Sequence, residues 1–411
     1  MSYYTTRSAI RCLWFRVALH YRNVKTGTAT LTRKGSDWYG TGHAWVYRDD
    51  LARVESAAAG DIVEVRDGRG KVLGRALYGD RSKIALRFLT RGDEPVDDAF
   101  FERRIREAVE RRRGLMTEGG ALRLFYSEGD GLPGLIADRY GDWLVLQALV
   151  PGIDSRLGFI AGIFYALLKP KGIVCRNDAS ARAIEGLPLE KKVLQGELTG
   201  PVEVMEGDIR YLADLLNGHK TGAYLDQREN REITARLARG NTLDCFSYQG
   251  HFALHCAGRA ESVTALESSR EALAVMEKNI ALNGLTNVTP VEGNAFDTLR
   301  AWHREKRQFA TVILDPPPLA RKKADAEDAL RGYKEINLRA MHLLAPGGIL
   351  VTFCCSHAVS PDLFSEILRS AAADARCGFR VLKYLVQPAD HPVLLNVPET
   401  AYLKGMILEK T

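Results

Sequence analysis

Five short segments in the second half of the chain carry side chains able to do chemistry. They are Asp244 with the turn FSYQGHF, Glu267, Gly293-Asn294, Asp315-Pro316-Pro317 and Cys354-Cys355-Ser356-His357. Each follows a run that reads as a strand: NTLDCFS, SVTALE, NVTPVEG, FATVILD and GGILVTFCC. Ligands of an open α/β sheet bind beyond the carboxyl ends of its strands. One polar strand end is weak evidence, since Glu267 alone reads as a surface acid and a lone buried cysteine as core packing. Five in succession point to a site.

The cofactor is the next inference. A dinucleotide pyrophosphate needs the close approach that GxGxxG permits, whereas the first turn here (Phe246, Ser247, Tyr248, Gln249, Gly250) has one glycine. That disfavours NAD and FAD and suits S-adenosylmethionine, which has no phosphate. Glu267, followed by Ser268, stands where an acceptor for both ribose hydroxyls belongs. Asn294, with Ala295 after it, is placed to meet the adenine edge. Asp315-Pro316 then faces the target base, its prolines fixing the backbone without needing donors. Methylation of an exocyclic adenine nitrogen usually calls for a stacking aromatic after such prolines, and Pro318 stands there instead. Carbon methylation of cytosine needs a thiolate at C6 to make C5 nucleophilic. Adjacent strand residues point to opposite faces, so only one of Cys354 and Cys355 is expected to reach the base.

These ends imply a doubly wound, mostly parallel sheet, with helices such as 269–283 between the strands and a final antiparallel pair from FRVLKYLVQ and AYLKGMILE. The preceding sequence has a different texture. Residues 28–92 hold short alternating runs (ATLTRKG, HAWVYRD, KIALRFLT) and a hairpin with Asp67-Gly68 at its turn, which together read as a small β-barrel. An amphipathic helix follows over 97–114, with Phe101, Ile105 and Val109 on one face and Arg111, Arg112 and Arg113 in its last turn. Those arginines could contact phosphate, or simply suit a helix C-terminus. The boundaries read as an unassigned basic extension (1–27), a β-barrel (28–95), a central α/β domain (96–203) and the sheet domain (204–411).

The chain has 411 residues, enough for two or three domains. Residues 1–114 hold 23 Lys and Arg against 15 Asp and Glu, within a total net charge of +6. A basic front end suggests a polyanionic partner, although solvated surface faces are the plainer alternative. The longest apolar run, 158–168, is too short for a bilayer, and Arg7, Arg11, Arg16 and Arg22 break any signal-peptide core. Seven cysteines with no CxxC pair predict reduced thiols and a cytoplasmic location. His251, His255 and Cys256 lack the glutamate of a zinc helix, so no metal is expected.

From about residue 30 onward the chain resembles the RlmI-like family of large-subunit ribosomal RNA cytosine-C5 methyltransferases. The matching runs are GHAWVYRDDL, SEGDGLPGLIADRYGDWLVLQ, GHKTGAYLDQRENR, LDCFSYQGHFALH, RGYKEINLRAMHLLAPGGILVTFCCSHAVS and ADHPVLLNVPETAYLKG. The resemblance implies an N-terminal PUA domain, a central α/β domain and a Rossmann-like class I methyltransferase domain. It implies Cys355 as nucleophile, and Tyr224, Gln227 and Arg228 beside the cofactor. It gives the first region to RNA binding, for which Lys34, His43, Trp45, Arg48, Arg103 and Arg111–Arg113 are the candidates. The expected partner is RNA, specifically large-subunit rRNA, with no membrane and a homodimer left open. The chain departs from the family pattern at Leu319 (commonly Phe), Asn294 (often Asp) and Gln249-Gly250-His251 (usually Thr-Gly-Gly). A second cysteine, which related enzymes place at the position of Pro317, is missing, so the base for the C5 proton is unassigned among water, Asp315 and His357. Another RNA or base as target, or a non-catalytic ribosome-assembly factor, remain the alternatives.

Overall fold

The computed structural model describes residues 27–319 and 326–411. The basic extension therefore lies, except for Gly27, outside the described residues. Two compact units emerge. The first comprises the chain up to Val202 with Ala213–Ala223 and Asp390–Thr400; the second comprises Glu203–Leu212, Tyr224–Ala389 and Ala401–Thr411.

In the first unit, β1 (Thr28–Leu31), β2 (Trp45–Tyr47), β3 (Leu51–Glu55), β4 (Ile62–Arg66), β5 (Val72–Tyr78) and β6 (Ile84–Arg91) form one sheet in the order β2-β6-β5-β4-β1-β3. Strand alternation buries Ala29, Leu31, Val63, Val65, Ala76 and Leu86 in a common core. Only the first part of ATLTRKG is strand. The Thr32 hydroxyl accepts the Gly35 N–H at 3.0 Å and starts a helix, α1 (Arg33–Gly40), because a capped first turn satisfies an otherwise orphaned donor. The β4–β5 hairpin has a longer turn than Asp67-Gly68 alone would give. Arg66 pairs with Val72, the Asp67 carboxylate accepts the N–H groups of Arg69 and Lys71, and Gly70 takes the left-handed conformation.

The same unit holds a five-stranded sheet of β7 (Ala121–Tyr126), β8 (Leu135–Tyr140), β9 (Trp143–Ala148), β10 (Gly172–Asn177) and β11 (Glu190–Gln195), in the order β11-β10-β9-β8-β7. Helix α2 (Asp98–Arg111), N-capped by Asp97, and α3 (Leu157–Leu168) supply Phe101, Ile105, Val109, Ile160 and Phe164 to the core of that sheet.

A hairpin of β12 (Val202–Glu206) and β13 (Ile209–Ala213) leads into α4 (Arg228–Leu237) and the second unit. Its sheet is built from β14 (Asn241–Cys245), β15 (Ser262–Glu267), β16 (Val288–Glu292), β17 (Phe309–Leu314), β18 (Leu344–Cys354), β19 (Phe379–Val386) and β20 (Lys404–Lys410). The order is β16-β15-β14-β17-β18-β20-β19, parallel except at β20, which runs antiparallel to both β18 and β19. The strand order reverses between β14 and β17, which opens a crevice at their carboxyl ends. Helices α5 (His251–Ala257) and α6 (Arg270–Leu282) cover one face; α7 (Ala295–Arg304), α8 (Ala326–Leu343) and α9 (Pro361–Asp374) cover the other. Successive residues divide between the two cores, Leu350 and Cys354 to one and Ile349, Val351 and Phe353 to the other. Among the described residues no helix is long and apolar enough to cross a membrane.

Candidate active site

The turn after β14 is wound tightly. Phe246, Tyr248 and Gly250 all have positive φ (60°, 52° and 86°), a conformation that costs non-glycine residues of order 1–3 kcal/mol each and gathers at functional sites. A Cβ on Gly250 would stand 2.7 Å from Met276 Cγ, so this position also lacks room. The Asp244 carboxylate ties the turn from inside, accepting the Ser247 hydroxyl at 2.5 Å and the Ala253 N–H at 3.1 Å. Burial pushes the Asp244 carboxyl up to about 7; the Ser247 hydroxyl opposes this, while Asp315 and Glu267 add to it. Glu267, at the end of β15, accepts the Tyr248 N–H at 2.9 Å, the Ser268 N–H at 2.7 Å and hydroxyl at 3.1 Å, and the Ser269 N–H at 2.9 Å.

Asn294 has a structural duty as well. Its Oδ1 caps α7 through the N–H groups of Phe296 (2.9 Å) and Asp297 (3.4 Å), so its amide NH2 is the group left to face a ligand. Asp244 Oδ1 and, within the turn, Gln249 Oε1 are buried and lack a partner among the described residues. Buried orphans of this kind are uncommon in finished cores and mark where a polar ligand completes the set. The residues thus fit an adenosyl cofactor. His251 is a packing residue. Burial lowers its pKa to about 3, and its ring packs 4.5 Å from that of Tyr211 as a neutral imidazole.

The second half of the site forms where β17 and β18 run side by side, with Leu314 opposite Thr352. Asp315 Oδ1 accepts from Gln227 Nε2 at 2.9 Å, and Gln227 Oε1 in turn accepts from Asn230 at 2.7 Å. The Cys355 thiol lies 3.7 Å from the Pro316 carbonyl and is half-buried, whereas Cys354 is fully buried in the opposite core and burial raises its pKa. The alternation expected of a strand therefore separates the two thiols. Tyr224 stacks edge-on to Tyr248 at 5.5 Å, and its phenol is pushed up by burial and by Asp315, Tyr248, Asp226 and Cys355. Arg228 lies beside Glu229 at 3.5 Å. Leu319, at the position of the commoner phenylalanine, packs on the core beneath α8.

The candidate RNA-contacting residues, all in the first unit, separate into two groups. Lys34, Arg103, Arg111 and Arg113 keep exposed side chains while touching Asp50, Glu94, Asp130 and Glu110, respectively. Arg112 and His43 require correction. Arg112 is buried, chelating Asp130 at 3.0 and 2.7 Å and donating to the Asp390 carbonyl; His43 is buried against Glu399 at 3.1 Å. Neither can reach a phosphate, because its polar atoms are spent inside the protein. The Trp45 indole N–H is committed to Glu128 and the Arg48 guanidinium to the Gly79 and Ser82 carbonyls.

Sequence reasoning missed two features. Asp226 accepts the Tyr402 hydroxyl at 2.8 Å, and Glu206 forms a buried ionic cluster with Arg231 (2.6 Å) and His255 (3.3 Å). Asp226 and Tyr402 both lie in runs noted above, YLDQREN and AYLKG, but nothing local links them.

A switch-point crevice with an acid on β15, a strained turn after β14 and a thiol beside Asp-Pro-Pro defines a nucleotide-cofactor transferase of the Rossmann-like class. Residues 189–408 match the S-adenosylmethionine-dependent methyltransferases and residues 29–91 a PUA-like domain. The chain belongs to the S-adenosylmethionine-dependent methyltransferase family, and S-adenosylmethionine is its cofactor. Two relatives named ribosomal RNA large subunit methyltransferase I are similar over nearly the whole chain. That of Klebsiella pneumoniae (strain 342) is 38% identical, covering 88% of this chain and 93% of its own. That of Aeromonas hydrophila is 39% identical, covering 89% and 95%. A SAM-dependent methyltransferase from Streptococcus mutans has the same fold, with TM-score 0.79, 18% identity and coverage of 93% of this chain and 99% of that one.

Proposed function

We propose that the chain forms 5-methylcytidine in large-subunit ribosomal RNA. The observation that carries this reading is the half-buried Cys355 thiol placed beside Asp315-Pro316 at the carboxyl ends of adjacent strands. The relatives' names supply the RNA class, and the PUA-like domain fits an RNA substrate. We assign residues 28–95 to that domain, 96–203 to the central domain and 204–411 to catalysis.

In this reading the cytosine leaves its stack to enter the crevice. Asp315, oriented by Gln227, holds the base and favours protonation at N3. The Cys355 thiolate adds to C6, and the pair of electrons reaches C5. S-adenosylmethionine, when bound, supplies the electrophilic methyl group. Asp244, Phe246, Ser247, Tyr248, Gly250, Glu267, Ser268, Asn294, Ala295 and Pro316, with Tyr224, Gln227 and Arg228, form its pocket.

The test is nucleoside mass spectrometry of rRNA incubated with the protein and labelled S-adenosylmethionine. Label is expected in 5-methylcytidine, lost with Cys355→Ala and retained with Cys354→Ala. Label on another base, or survival of activity in Cys355→Ala, would refute the thiolate mechanism.

A further inference from the structure

Adding a methyl group at C5 leaves a proton there, and product release requires a base to take it. Pro317 stands where a second cysteine would be, so the base is water or another side chain around Cys355. The single turn Leu225–Gln227 reaches two places at once: Gln227 donates to Asp315 at 2.9 Å, and Asp226 accepts the Tyr402 hydroxyl at 2.8 Å. Tyr402 and Cys355 pack against the same core on one face of the seven-stranded sheet. The ring of His357, two residues beyond Cys355, lies 6.0 Å from that of Tyr402. Tyr224, immediately before the turn, is close enough to Asp315, Asp226 and Cys355 for all three to raise its pKa after burial has done so. Asp315, Asp226 and Cys355 thus surround Tyr224, and the Asp226–Tyr402 pair lies on the same face of the sheet as Cys355. Asp226 is 4% exposed, so its carboxylate is held out of water against the phenol. His357 is exposed, whereas Tyr402 is half-buried and held by a buried carboxylate.

From this arrangement we infer that Tyr402 is the base that removes the C5 proton, with Asp226 as the residue that positions it and takes up its own proton. The inference rests on the thiolate reading above. The C5–H bond breaks and its proton goes to the Tyr402 oxygen, while the phenol proton passes to the Asp226 carboxylate. The C–H electron pair restores the C5–C6 double bond and expels Cys355 as a thiolate. A general base in such a step contributes roughly 10²–10⁴-fold.

The experiment uses the full chain with large-subunit rRNA transcripts containing cytidine or 5-fluorocytidine, scoring protein–RNA complexes that survive detergent. Fluorine at C5 cannot leave as a cation, so the adduct on 5-fluorocytidine forms without any base. Wild type, Tyr402→Phe and Asp226→Asn are expected to form it equally fast. On ordinary cytidine, both variants are expected to accumulate a methylated adduct and to release product at least ~10²-fold more slowly. Release at the wild-type rate, or loss of the 5-fluorocytidine adduct in both variants, overturns the assignment. Absence of that adduct in wild type overturns the thiolate reading itself, and this inference with it.

Discussion

Asp244 and Glu267 end neighbouring strands and play opposite parts. Glu267 accepts four donors at the rim of the pocket, three of them backbone N–H groups, so its carboxylate is fixed as an acceptor. Glu267→Gln is expected to weaken S-adenosylmethionine binding about 10-fold or more by calorimetry, since hydrogen bonds to a charged group are worth roughly 1.5–3 kcal/mol. Asp244 is buried, and its pKa rises from 3.8 to about 7. A raised acid contributes stability below its unfolded pKa and loses it as pH climbs through the folded one. Wild-type thermal stability should therefore carry a decline between about pH 4 and pH 7 that Asp244→Asn lacks, read as melting temperature against pH. A wild-type and variant pair with parallel profiles would remove the carboxyl from the account. At Gly250, alanine meets both a left-handed backbone and Met276, so Gly250→Ala should cost about 1–3 kcal/mol in denaturant unfolding and loosen the cofactor turn.

At the scale of elements, β12, α4 and α5 are held together by charge as well as by packing. Burial alone would raise the Glu206 carboxyl; the Arg231 guanidinium outweighs it, with His255 and His251 assisting, and holds the carboxyl at about 2. A depressed acid contributes stability above its unfolded pKa, here 4.5, and loses it as pH falls toward 2. Arg231→Met leaves that carboxylate buried with only His255 beside it, and should cost about 3–5 kcal/mol at neutral pH by urea unfolding. The double variant with Glu206→Leu should recover much of the loss, because the cost lies in the orphaned charge. What was legible in the sequence follows the same division. Strand ends, the helix over 269–283 and the two-faced cysteine pair were readable because they depend on neighbours in the chain. The Gln227–Asp315 and Asp226–Tyr402 bonds join residues 88 and 176 positions apart, and no local pattern encodes them. The Thr32 cap was a local signal that the strand-like texture around it outweighed. Arg112 shows a charge run competing with a helical period. It caps α2 three and four residues beyond Val109 and Ala108, in line with the helix's buried stripe, and the arginine triplet concealed that.

Over the whole molecule, the charge that suggested a polyanionic partner is less evenly placed than a basic first quarter implies. Of the 23 Lys and Arg before residue 115, five (Arg7, Arg11, Arg16, Arg22 and Lys25) precede residue 27. The 18 that follow face 15 acids. Many are paired on the surface, as Arg103 is with Glu94 and Arg113 with Glu110. Exposed ion pairs contribute little to stability, so such arginines can exchange a carboxylate for a phosphate at small cost. Phosphate contacts release counterions, and each one lost should lower the salt slope of RNA binding by about one. Replacing Arg103, Arg111 and Arg113 together with glutamine should therefore reduce the slope, with the melting temperature nearly unchanged by the Arg103 and Arg113 changes and lowered modestly by that of Arg111, whose partner Asp130 is buried. Neutralising the five residues before 27 tests the other source of charge in the same titration. Arg112→Gln should do the reverse, leaving the slope intact and destabilising the fold, because Asp130 loses its buried partner. If the triple variant and wild type share one slope, the basic helix does not meet RNA, and the electrostatic part of binding belongs to the extension or to Lys34 and its surroundings.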